Sequence, residues 1–120
     1  MIRLTALLHR NPALTHEEFL DHWHNVHGPL IRETPELARH IIRYEQHPGT
    51  DDRGAGSGHD GVAMQWLESI DALFAFISEP AYAEKLAPDE QHLLDMSRVQ
   101  VIFTEEPRVV IDGPVDGGTR

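Results

Sequence analysis

Hydrophobic residues along the chain form four short runs with strand character and two longer stretches at helical spacing. Residues 2–9, Ile-Arg-Leu-Thr-Ala-Leu-Leu-His, are short, apolar and partly alternating, which predicts a strand. Asn11-Pro12 closes it. Thr15 and Glu18 have capping-box spacing and predict a helix from Thr15 to about Val26 or His27. Gly28-Pro29 then weakens or ends that helix, since proline lacks the amide donor, and Leu30 to Glu33 adds a turn. A second strand falls within 37–47, clearest from Arg39 to Glu45. Residues 48–61 carry five of the nine glycines and Asp51-Asp52, and are expected to be a mobile loop. Residues 62–68 form a third strand. Ser69 caps a second helix through Leu73, Phe76 and Ile77. Pro80 interrupts it, Ala81 to Leu86 resumes it, and Pro88-Asp89-Glu90 opens a short third segment ending near Asp95. Residues 98–104 supply a fourth strand of good β formers. Residues 112–120 are a flexible tail, leaving 1–111 as one domain.

The order β-α-β-β-α-β predicts a ferredoxin-like α+β fold with a four-stranded antiparallel sheet. Right-handed crossovers put the helices on one face. The other face is left bare. In the fourth strand Val99, Val101 and Phe103 alternate with Gln100, Ile102 and Thr104, so both faces carry apolar residues. The expected partner is therefore a second copy, joined through the sheet face.

Charge removes several partners. Twenty acids oppose ten bases, giving a net charge of −10 with histidine neutral. Such a field repels phosphate backbones and anionic membranes. Protonating the nine histidines would bring the charge close to zero, so most of it titrates away as pH falls through the histidine range. No cysteine is present, which excludes disulfides, thiolate metal sites and cysteine nucleophiles and fits a reducing cytoplasm. The opening residues lack the pattern of a signal peptide, and no run is long enough to span a bilayer.

The first helix contains His16, His22, His24 and His27. At about 100° per residue, Phe19, Leu20, Trp23, Val26 and His27 share one apolar stripe. His24 lies at its rim and His22 on the far flank. His24 and His27 have the i, i+3 spacing of a chelate but sit in different environments, so no metal site is expected. A histidine on the core face needs a partner. It is either a satisfied structural residue or a general acid/base in a pocket between helix and sheet. Tyr44, in the second strand, is the companion residue, as a core aromatic or as a donor to a substrate oxygen. No phosphate-binding loop, nucleophile elbow or dinucleotide fingerprint is present.

Five segments in order carry a resemblance to one family. They are Leu4 to Phe19, with Pro12, Leu14, Thr15, Glu17 and Glu18; His22-Trp23-His24-Asn25-Val26-His27-Gly28-Pro29-Leu30; Arg43-Tyr44-Glu45; Asp60-Gly61-Val62-Ala63 through Trp66 to Phe76, Pro80 and Tyr82; and Ala87-Pro88-Asp89-Glu90 with Asp95, closing at Phe103-Thr104-Glu105-Glu106. The chain thereby resembles the EthD-domain family of the dimeric α+β barrel superfamily, over about residues 2–110. That resemblance implies a cofactor-free pocket between sheet and helices, and relatives that isomerise lactones or cyclise, dehydrate or decarboxylate polyketides. It assigns His27 and Tyr44 as catalytic, and Leu20, Trp23, Trp66 and Phe76 are expected to bind the substrate. The absent cysteine argues against isomerisation of the kind that uses one. The expected function is acid/base chemistry on a small apolar carbonyl, aromatic or polyketide-like compound. The alternatives are a non-catalytic or auxiliary module of a monooxygenase or ether-degradation pathway, or an oxidoreductase.

Overall fold

A computed structural model describes residues 1–50 and 58–115. The expectations for Asp51-Asp52, most of the glycine-rich segment and the last five residues lie outside the described residues. Four strands, β1 (Ile2–Leu8), β2 (Arg43–Pro48), β3 (Gly61–Leu67) and β4 (Gln100–Thr104), form one antiparallel sheet in the order β2-β3-β1-β4. This is the ferredoxin-like arrangement, with the helices on one face.

Thr15 Oγ1 accepts from the Glu18 amide at 3.1 Å and Glu18 accepts from the Thr15 amide at 2.8 Å, so the capping box starts α1 (His16–His22) as its spacing predicts. Proline does not end the helix at residue 28. The turn Trp23–His27 widens to π geometry, with the Gly28 amide donating to the Trp23 carbonyl, and the helix runs on as α2 (Gly28–Arg32). Pro29 has no amide for the Asn25 carbonyl and its ring crowds that oxygen; the wider turn relieves both problems. The change of pitch turns Val26 outward, 46% exposed, while His27 stays buried, so Val26 leaves the stripe expected for it.

The second strand starts later than its pattern predicts. Pro35 opens a short helix, α3 (Pro35–Ala38), whose Leu37 is completely buried, and pairing begins with the Ile42 amide on the Trp66 carbonyl. After β3 come α4 (Ile70–Ser78), a second π turn (Tyr82–Leu86) and α5 (Ala87–Leu93), which has Pro88 in its first turn. Ser69 stands at the α4 N-cap without a side-chain cap bond. A single 3₁₀ turn, Met96–Arg98, leads into β4.

Two apolar clusters lie between helices and sheet. One joins Ala6, Leu8 and Ala63 to Phe19, Trp23 and Leu93; the other joins Ile31, Leu37, Phe76, Ala81 and Leu86. Tyr44 packs against both. Asp60, almost fully buried, binds the Arg10 amide and guanidinium and His16, and so fixes the start of β3 beside the end of β1.

Candidate active site

The site begins with two small residues. Ala6 and Ala63 face each other at the centre of the sheet, on the side that carries the helices. Their methyl groups leave space that larger side chains would fill. Above them is a cavity of about 230 Å³, walled by Leu4, Ala6, Leu8, Trp23, Ala63 and Phe76 among others. Its polar wall groups include His27, Tyr44, Gln65, Tyr82 and Glu90. A larger groove of about 460 Å³ lies beside the edge strand β2 and includes His24, Arg32, Arg43 and Gln46. Among the described residues no carboxylate lines that groove, and Tyr44 is the wall shared by both spaces.

His27 reaches the cavity because the π turn carries it inward. Its Nδ1 lies 2.7 Å from Asp89 Oδ2, and Asp89 Oδ1 lies 2.6 Å from His22 Nε2. One carboxylate of α5 therefore orients two imidazoles of the first helix. Burial works to raise the Asp89 pKa, but the hydrogen bonds from His22 and His27 outweigh it and the carboxyl titrates below its ordinary range. With Nδ1–H donated to an ionised carboxylate, His27 presents Nε2 as its free base position.

Tyr44 is held from the other side. Gln46 Nε2 donates to the Tyr44 hydroxyl oxygen at 3.1 Å and to the Trp23 carbonyl at 2.9 Å, and Gln46 Oε1 meets His24 Nδ1 at 2.8 Å. The tyrosine oxygen thus accepts, leaving its own proton for a ligand. Burial pushes its pKa up, so it stays a neutral donor. Tyr82 donates to Glu90 Oε1 at 2.7 Å. Burial also raises Glu90 above the usual carboxylate range, against the opposing effect of the Tyr82 bond. Burial and the carboxyl acceptor likewise raise Tyr82.

The structure brings His27, Tyr44, Trp23 and Phe76 to one cavity. Leu20 packs against the core beside it and is not part of the wall. Trp66 is on the opposite face of the sheet. Strand alternation sets this, since its neighbours Gln65 and Leu67 face the helices. There the indole lies between the guanidinium groups of Arg3 and Arg43, at 5.4 and 5.5 Å. Sequence reasoning took Asp89 and Glu90 only as a helix start. A signal was available: Leu86, Glu90 and Leu93 stand at i, i+4 and i+7, so Glu90 interrupts an apolar stripe as His27 does. Among the described residues no three His, Asp or Glu side chains are arranged to hold a metal ion.

A ferredoxin-like α+β fold, with its helices on one face of a four-stranded antiparallel sheet, defines the class. The EthD-domain model matches residues 11–97, and the chain belongs to the EthD-domain family. No curated protein matches it. Among solved structures it is similar to an Arabidopsis thaliana protein, At3g17210, at 18% identity over 92% of this chain and 100% of that one, with a TM-score of 0.63. An EthD family protein of Bacillus halodurans is 16% identical over 89% and 99%, with a TM-score of 0.65. A dimeric ferredoxin-like protein of unknown function from Bacteroides fragilis is 11% identical over 88% and 95%, at 0.64. These likenesses extend through the whole fold.

Proposed function

We propose that the protein is a cofactor-independent acid–base enzyme acting on a small, mostly apolar carbonyl or aromatic compound, with His27 moving the proton and Tyr44 polarising the substrate oxygen. The observation that carries this is the 2.7 Å His27–Asp89 hydrogen bond, with His27 at the wall of the cavity between helices and sheet. A carboxylate there fixes the imidazole tautomer and stabilises the imidazolium that forms, which a merely structural histidine does not require. Isomerisation, cyclisation and dehydration next to a carbonyl share one step, loss of a proton from carbon to give an enol or enolate. His27 and Tyr44 supply the base and the oxygen donor for it. A cavity near 150 Å³ accepts benzene, so this one suits a substituted single ring. The protein acts as a homodimer joined through the bare sheet face, a reading supported by the apolar residues on that face and by the dimeric neighbour.

The test is hydrogen–deuterium exchange at the methyl group of acetophenone, followed by proton NMR in D₂O. Wild type should accelerate exchange over buffer. His27→Gln should lower the rate by about a hundredfold or more while keeping the fold. Full exchange in that variant removes His27 from the mechanism. Binding without exchange in wild type would instead make the protein a ligand carrier.

A further inference from the structure

We propose that Glu90 is the acid that works opposite His27, and that the pair restricts the cavity to ligands that enter uncharged: ring-sized ketones or enols without a carboxylate. This rests on the reading of His27 as the base. α5 presents two successive carboxyls to different surroundings. Asp89 turns to His22 and His27 and is held as an anion. Glu90 lines the cavity, where Tyr82 donates to Oε1. Among the described residues, Oε2 has no hydrogen-bond partner. The titratable groups around Glu90 are His27, Tyr44 and Tyr82 on the wall and Asp89 beside it in the chain. Among the described residues no lysine or arginine lines the cavity. A carboxyl so placed gains by staying protonated, and burial together with the Asp89 charge pushes it that way. Two carboxyls with diverging environments divide the work of acid and anion.

The step balances without another reactant. His27 Nε2 takes the proton from the carbon next to the carbonyl. The C–H electron pair becomes the carbon–carbon π bond of the enol. The carbonyl π pair moves onto oxygen, which takes the proton of Glu90 Oε2. Glu90 is left as a carboxylate, held by the Tyr82 hydroxyl and facing the new imidazolium. Return of the two protons, at the same carbon or at another, resets both groups. A ligand that brought its own carboxylate would be buried beside Glu90 with no resident cation to pair it, a heavy desolvation penalty.

Three measurements on the full-length protein decide this. Infrared difference spectra between wild type and Glu90→Gln at neutral pH should show one protonated carboxyl band, present only in wild type. Titration with acetophenone and with benzoate should give a preference of about tenfold or more for acetophenone. Glu90→Gln still accepts from Tyr82 but has no proton to transfer, and should slow acetophenone exchange by about a hundredfold with binding little changed. An absent band, benzoate bound as well as acetophenone, or wild-type exchange in Glu90→Gln overturns the proposal. If Glu90→Gln exchanges normally and His27→Gln does not, the Glu90 assignment falls and the reading of His27 stands. If wild type shows no exchange at all, the reading of His27 falls and the acid role of Glu90 falls with it, while the band and the ligand preference still decide whether Glu90 is protonated and restricts the cavity to uncharged ligands.

Discussion

Asp89 accepts from two histidines with one carboxylate, at 2.6 and 2.7 Å, and this sharing sets its titration. Its folded pKa lies below the ordinary value, so its contribution to stability is complete above that value and is lost as pH falls through the folded pKa. Protonation of Asp89 therefore does not account for changes between pH 7 and 5. Asp89→Asn should cut acetophenone exchange by at least about a hundredfold, because an amide cannot accept from both imidazoles and the His27 tautomer is no longer fixed. It should also destabilise the protein by about 2 kcal/mol at pH 7. That difference should shrink at acid pH, where wild type loses the same anion. Melting curves at pH 7 and pH 3, read beside the exchange rate, check both parts. Equal rates in variant and wild type would leave Asp89 a structural clamp. His27 stands out in the sequence as a polar residue on an apolar helical stripe, and the structure places it with Tyr44 on the wall of one cavity. Asp89 lies 62 residues beyond His27, and no local pattern connects them.

The element scale shows why the same sequence signals both worked and failed. The capping box, the alternation of β1 and the fold order followed from local chemistry and periodicity. The two π turns did not, because proline reads as a stop in one dimension. Here Trp23–His27 precedes Pro29 and Tyr82–Leu86 precedes Pro88, and in each the residue before the proline donates to the aromatic's carbonyl. Packing of Ile31 among the buried helix residues and of Leu93 against the sheet carries the helix past the missing hydrogen bond. Trp66 failed for a different reason: composition marks it as apolar, but only pairing register says which face it occupies. Register also sets a tight spot at the start of β3. A Cβ on Gly61 would meet the Trp23 ring at 2.8 Å and the His47 carbonyl at 3.1 Å. Gly61→Ala should destabilise the fold by about 1–3 kcal/mol and shift Trp23 fluorescence, since the indole is 1% exposed and has to move. An unchanged melting temperature and spectrum would mean the ring has room that the geometry denies it.

At the scale of the whole molecule the sheet separates two jobs. One face supports the cavity. The other carries Leu7, Val62, Met64, Trp66 and Ile102, with Arg3 and Arg43 flanking the indole. Strand alternation places an apolar band there, and helices cover only the opposite side, so a second sheet is the natural cover. Ile102 is 59% exposed in the single chain, and Met64 stands opposite Thr5 at the centre of this face. A charge at either position costs the isolated chain little and is buried without a partner in a face-to-face pair. Sedimentation of wild type at micromolar concentration should give about twice the 13.6 kDa chain mass, and Met64→Glu with Ile102→Glu should give one chain with an unchanged circular dichroism spectrum. Each chain carries −10, so raising salt should strengthen wild-type association by screening. A wild-type monomer would remove the dimer outright. A double variant that still dimerises would move the interface off the sheet, and the exposed Val109, Val110 and Ile111 would become the next surface to substitute.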